Sequence, residues 1–243
     1  MATSGAASAV RRKKGSPGAR QSNGRERRRR EPLTREGIVK TALALIEERG
    51  LAGFSIRELG ARLRVEPMSV YHHFPSKRHL LDALVDHAMA SIEMPAQGAS
   101  PVERLRRLCY AYRAMAHRFP GLYPLLALHR LNTPVGVGTI ERVLELIHAI
   151  EPDPERAARQ FRVMGYFLTG AALDETAGYA RGPSAADPVD DRYIGEHCPR
   201  LAIAGRYFKS SEWDATFALG LEALLAGFSV APASNPQRRT STS

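Results

Sequence analysis

Met68, Ser69, Tyr71, His72 and His73 crowd into one short stretch and offer hydroxyls, ring N–H groups and a polarizable apolar tip. Such groups suit recognition better than bond making. Neither H-x-x-x-H nor H-E-x-x-H occurs, so the two adjacent histidines, pointing to different helix faces, make no metal site. No G-x-S-x-G, phosphate-cradling glycine loop or paired His/Cys spacing accompanies them, which argues against a hydrolase or transferase.

The surrounding residues specify the element that carries this set. Pro67 suits the first position of a helix, where its missing N–H costs nothing, and a helix from Pro67 to Phe74 is only about 12 Å long. Val70 and Phe74 form its apolar seam. Ahead of it, Ser55 is placed to cap a helix with Glu58 completing a capping box, and Ile56, Leu59 and Leu63 recur at helical spacing. Arg64, Val65 and Glu66 supply the turn between the two. A further helix starts at Ser76–Lys77 and runs to about Ser91 on Leu80, Leu81, Leu84, Val85 and Ala88. A short second helix that exposes small and aromatic polar groups is what a helix-turn-helix places in the major groove.

The stretch VEPMSVYHHFPSKRHLLDAL, with Arg57 and Leu59 before it, resembles the signature of the TetR family of bacterial one-component regulators. The elements of the match are Val65, Tyr71, His73 and Phe74, followed by Ser76, Lys77, Leu80 and Leu81. Gly60 stands where alanine is usual, and Met68 where glycine or a small residue is common. The resemblance runs from about Leu33 to Ser91. It implies DNA contacts at Thr34, Ser55, Arg57, Met68, Ser69, Tyr71, His72, His73 and Lys77. Arg57 can give a bidentate contact to guanine, and Met68 and Ser69 suit a thymine methyl or a small polar edge. Tyr71, His73, Lys77 and Thr34 are expected on phosphates. A solvated pairing of Arg57 with a nearby glutamate is the alternative for that residue.

The formal charge of +10 is unevenly placed. Residues 1–32 carry ten Lys and Arg against Glu26 and Glu31, and Arg238 and Arg239 lie near the other end. The body between is neutral overall. The first segment is built of Ala, Gly, Ser and Arg without aromatics, and reads as disordered. It is either a solvated leader or an arm that touches phosphates beside the helix-turn-helix. No apolar run reaches the roughly 18 residues of a membrane span, and no apolar core follows the basic N-terminus as in a secretory signal. Cys109 and Cys198 fit no metal spacing; Cys109 sits in a helical apolar pattern and reads as a buried small hydrophobe. A reduced, cytoplasmic setting is expected.

The rest of the chain reads as helix. Thr34 caps a first helix that Gly50 closes, carrying Ile38, Ala42, Leu45 and Ile46 on one face. Beyond Pro95, Gly98 and Pro101, helical patterns run over about 101–118, 137–150, 154–179 and 211–230. An apolar piece lies near 122–131 and a less regular segment at about 192–208. The expected architecture is all-α: an arm over 1–32, a three-helix helix-turn-helix domain over 33–91, a helical-bundle domain over 92–231 for ligand binding and dimerisation, and a tail over 232–243. The last two long helices carry small residues on faces that already have aliphatics. The run FALGLEALLAGF resembles the closing helix of tetracycline-repressor-type regulatory domains, which implies a homodimer through these helices and hence a palindromic operator.

The same resemblance implies a small-molecule effector in the helical half. The aromatic and polar set that could line its cavity is Tyr110, Arg113, His117, His129, Asn132, Phe161, Met164, Phe167 and Glu175. For each, plain core packing is the competing reading, and His117 and His129 need a partner that a ligand or a carboxylate would supply. The tetracycline sensor uses a histidine just after helix 4, where this chain has Ser91-Ile92-Glu93-Met94-Pro95. That departure argues against the drug and its magnesium and for an apolar or amphipathic molecule. No metal or cofactor is expected. The function implied is a sequence-specific regulator, a repressor released from its operator by the effector. The rival is a ligand-independent DNA-binding or architectural protein that uses the helical half only to dimerise.

Overall fold

Side-chain oxygens set the starts of the helices. Thr34 accepts the Gly37 N–H at 3.0 Å, Ser55 that of Glu58 at 3.2 Å, Ser100 that of Glu103 at 3.2 Å and Thr133 that of Gly136 at 3.0 Å. Each satisfies one of the donors that a helix start leaves open. In this computed structural model residues 32–177 and 184–228 are described, and among them every regular element is helical. The basic arm, apart from Pro32, and the C-terminal tail lie outside the described residues.

The first four helices are α1 (Arg35–Arg49), α2 (Ile56–Leu63), α3 (Pro67–Tyr71) and α4 (Lys77–Ala90). After Ser91 come α5 (Pro101–Arg118), α6 (Tyr123–Leu128), α7 (Pro134–His148) and α8 (Pro154–Ala177). The chain then forms α9 (Asp191–His197), α10 (Pro199–Ala204), two 3₁₀ turns and α11 (Trp213–Phe228). The short helix expected over 67–74 ends earlier, at Tyr71, although the Phe74 N–H still bonds the Val70 carbonyl at 3.0 Å. The segment expected to be irregular holds α9 and α10, whose short length and outward side chains give too little periodicity to recognise. The expected end of α8 near Tyr179 lies outside the described residues.

One apolar cluster runs from Ile38 and Ile46 on α1 through Leu80 and Leu84 on α4 to Met115, Phe119 and Leu122. A second joins Leu105 and Cys109 on α5 to Met164 on α8 and Phe217, Leu221 and Leu225 on α11. Burial pushes the Cys109 thiol up to about 12, so it stays protonated, and it donates to the Met164 sulfur at 3.4 Å. Its role is packing, as in other buried thiols.

Two polar contacts tie distant elements. The Glu47 carboxylate at the end of α1 accepts the backbone N–H of Gly121 at 2.7 Å and of Leu122 at 3.2 Å, at the start of α6. That approach requires glycine: a Cβ on Gly121 would lie 2.8 Å from the Ile46 carbonyl oxygen. Arg106 on α5 holds Glu222 on α11 with bonds of 2.6 and 2.9 Å, and also grips Glu103. Hydrogen bonds from the arginines beside them hold the Glu103 and Glu222 carboxyls below the usual carboxylate range.

Gly121→Ala should cost about 1–3 kcal/mol, because backbone rather than a flexible side chain must give way; thermal unfolding measures it. Depressed carboxylate pKa values add stability that is present above the unfolded value and is lost as pH falls through the folded value. Wild-type melting temperature should therefore drop on acidification from about pH 6 to about pH 3, and Glu222→Gln should shrink that drop.

Candidate nucleic-acid interface

The segment from Pro67 to Phe74 is fixed by what lies beneath it. Val70 and Phe74 are buried to 0% and 1% exposure and anchor α3 to the core of the head, so its other residues turn outward. Met68 is 65% exposed and His72 is exposed, while Ser69, Tyr71 and His73 are half-buried. Tyr71 also packs against the apolar cluster, so its ring is in part committed to the core. The turn between α2 and α3 is closed by Arg64 in the left-handed region at φ 57°, a conformation that costs a side-chain-bearing residue roughly 1 kcal/mol. The Val65 N–H bonds the Gly60 carbonyl at 2.9 Å. A Cβ on Gly60 would sit 3.0 Å from the Val65 carbonyl oxygen, so only a small residue fits there.

Glu58 does not complete a capping box. Its carboxylate pairs with Arg49 at the end of α1, while its own N–H still bonds Ser55. The ion pair draws the start of α2 onto α1 and leaves Arg57 without an acidic partner among the described residues; its guanidinium stands exposed on α2. Thr34 and Ser55 are exposed, but both hydroxyl oxygens are engaged as helix caps. The Lys77 ammonium donates to the Phe54 carbonyl at 3.0 Å and lies 5.3 Å from the Phe54 ring centroid.

Arg35 had no signal in the spacing. Its guanidinium stacks 4.1 Å from the centroid of Phe74 and donates to the His73 carbonyl, tying the start of α1 to the end of the recognition segment. Exposed Arg64 and Arg78 add two further cations to this end, neither with an ion-pair partner among the described residues. The contacts of Arg35 with His73 and Phe74 and of Lys77 with Phe54 bring the starts of α1 and α4 against the helix-turn-helix, where Arg57, Arg64 and Arg78 are exposed. This arrangement can meet phosphates at its borders and base edges at its centre.

The candidate lining of the helical half is brought together in part. Arg113 on α5 donates from Nε to Glu175 at 2.7 Å and from Nη1 to Asp214 at 2.7 Å, and His117 meets the same Glu175 oxygen at 2.6 Å. Burial works against the charged guanidinium, but Glu175 and Asp214 outweigh it and hold the Arg113 pKa above its usual value. Tyr110 and Phe167 each meet Phe217 with tilted rings and centroids 5.3 Å apart, and Phe161 and Met164 belong to the same apolar cluster. His129 stands apart and pairs with Asp82 on α4 at 3.0 Å. Asn132 is exposed between α6 and α7. Carboxylates from the chain itself therefore face both histidines. No group of three or more metal-ligating side chains occurs among the described residues.

Residues 38–84 match the family model described as bacterial regulatory proteins of the tetR family, and residues 94–231 match the tetracyclin repressor-like C-terminal domain. The chain is 45% identical over 212 residues to the tetracycline repressor protein class C of Escherichia coli, covering 80% of this chain and 90% of that protein. It is 26% identical over 202 residues to the class G repressor of Vibrio anguillarum, covering 81% and 93%. Among solved structures, ActR of Streptomyces coelicolor in complex with actinorhodin superposes with a TM-score of 0.67 at 27% identity, covering 82% of this chain and 97% of that one. With a helix-turn-helix, a helical C-terminal half and these relatives, the chain belongs to the TetR family and is a DNA-binding transcriptional regulator, not an enzyme.

Proposed function

We propose that the protein is a homodimeric repressor that reads a palindromic operator through α2 and α3 and is released when a small amphipathic molecule occupies its helical half. The observation that carries this reading is the division of the segment from Pro67 to Phe74: Val70 and Phe74 are buried, while Met68 and His72 are exposed, beside an exposed Arg57 with no acidic partner among the described residues. A side chain that contributes nothing to the core and has no partner in its own chain is free to meet a base edge. Arg57 is assigned to guanine, Met68 and Ser69 to the groove floor, and Thr34, Ser55, Tyr71, His72, His73 and Lys77 to the surrounding edges and phosphates.

Dimerisation is assigned to α8 and α11. Tyr166 is 65% exposed and Leu219 75%, and Gly165, Gly170 and Gly227 have open space where a Cβ would stand. Large apolar groups beside gaps form a face that a second copy can fill. Each subunit then presents one reading head, with half-sites about 34 Å apart. Glu47 on Gly121 and Leu122, together with His129 on Asp82, couples the heads to the regulatory half, so a ligand that favours another arrangement there shifts the heads. No helix of the described residues is long and apolar enough to cross a membrane, and the assigned setting is the cytoplasm. Residues 33–91 and 92–231 are taken as the reading and regulatory domains, between the basic arm and the tail.

Selection from random DNA at about 150 mM salt, where non-specific phosphate contacts are screened, should return a palindrome; retention without any motif would support an architectural role. Against that palindrome, Arg57→Ala should cost about 1–3 kcal/mol of affinity with an unchanged melting temperature. Equal affinity would remove Arg57 from the groove. Deleting residues 1–32 should flatten the dependence of affinity on salt, since each phosphate neutralised steepens it. An identical slope would reduce the arm to a leader.

A further inference from the structure

The arginines of α5 are not treated alike. Arg106 and Arg107 share Glu103, and Arg113 is held by Glu175 and Asp214. Arg104 has no such partner among the described residues: it is half-buried, and its Nε is buried without a hydrogen-bond acceptor. A buried donor on a cation without an acceptor is costly, and chains rarely leave one unanswered.

Arg104 lines a cleft of about 320 Å³, and Arg142 of α7 lines it too. Among the described residues, exposed Arg142 makes only a long 3.3 Å bond, to the Thr139 hydroxyl one turn earlier on its own helix. The walls are apolar: Met94 and Pro95 come from the segment joining α4 to α5, and Leu146 and Ala149 from α7. Gln97 adds an amide, and Glu145 is the one acid of the lining, with no ion pair to either arginine. Two guanidinium groups against one carboxylate leave the cleft net positive. Its volume falls at the small end for ligand sites, and a guanidinium presents a planar fork that matches a carboxylate or sulfonate.

We propose that this cleft binds a small organic anion with an apolar body, its acidic head held by Arg104 and Arg142 and its body laid against Met94, Pro95, Leu146 and Ala149. This rests on the reading of the protein as ligand-responsive and gives that ligand a chemistry and a place. The cleft is separate from the aromatic set around Phe217, whose charged groups are already satisfied within the chain. It also has mechanical reach. The 94–97 wall follows α4 after the three residues Ser91 to Glu93, and the first residue of α4, Lys77, is bonded to the Phe54 carbonyl inside the reading head. An anion that draws this wall towards α7 therefore bears on the helix that carries the head.

Isothermal titration of the full chain without DNA, using octanoate and its uncharged counterpart octanol, tests the assignment. Octanoate should bind stoichiometrically and at least about tenfold more tightly than octanol, because only the anion answers the arginines. Arg104→Gln and Arg142→Gln should each weaken octanoate about tenfold or more and leave octanol unaffected. Arg107→Gln, whose guanidinium is held by Glu103, should change neither. Arg104→Lys keeps the charge but loses the fork, and should fall between wild type and Arg104→Gln. Equal binding of octanoate and octanol, no binding of octanoate, or an Arg104→Gln chain that binds octanoate as wild type does would overturn the cleft. Since the titration contains no DNA, its failure is distinct from failure of the repressor reading. In a separate operator-binding measurement with octanoate added, an operator that stays held while octanoate binds through the two arginines would uphold the cleft and overturn release by this class of ligand.

Discussion

The Glu47 carboxylate, placed on the backbone N–H groups of Gly121 and Leu122, is the contact on which the arrangement of the two halves depends. A carboxylate whose two oxygens each accept one amide at a helix start combines charge-assisted hydrogen bonds with the favourable end of the helix dipole. It also fixes a direction. Because α1 approaches the Gly121 backbone so closely, the head cannot slide along α6 without breaking both bonds at once. The apolar cluster that runs from α1 through α4 to Phe119 and Leu122 reinforces the constraint, since close-packed side chains shift between discrete arrangements rather than deform smoothly. The proposed release by a shift of the heads needs this kind of stiffness; a flexible joint would absorb the displacement.

The charges inside the helical half follow a different logic. Arg113 is buried, and removing a guanidinium from water is expensive unless acceptors surround it. Glu175 from α8 and Asp214 from α11 provide them, and the face of Phe217 lies 4.7 Å from the guanidinium carbon. Three helices are thus registered against one another by a group that tolerates little displacement. Apolar packing alone would hold them together but would specify their rotation less sharply. Glu175 also meets His117, which places a titratable ring at the rim of the same network.

Much of this was legible in the sequence, and what was not has physical reasons. Thr34, Ser55 and Ser76 cap their helices as their positions imply, since capping is local and needs only the next few residues. The helix-turn-helix was legible because Pro67, the Val70–Phe74 seam and the motif around Tyr71 constrain one another at short range. Glu58 looked like half of a capping box, but its carboxylate reaches Arg49 on another helix, and a tertiary ion pair leaves no trace in local spacing. Arg35 on Phe74 and Glu47 on Gly121 escape for the same reason: they join residues 38 or more positions apart. The candidate ligand set mixed core with surface, because periodicity reports which residues share a face and not whether a cavity lies in front of it. Arg104 was invisible as well; an arginine without a partner looks like any other until its neighbours are placed.

The shortness of α3 has a bearing on descent as much as on binding. The segment from Pro67 to Phe74 is held on the head by Val70, Phe74 and the half-buried Tyr71, while Met68 and His72 are exposed. Inherited changes at these two outward positions can therefore accumulate at little cost to foldability. Two sister lineages could keep the same scaffold and diverge in the half-site each prefers, so that a duplicated copy acquires new targets before it acquires any new structure.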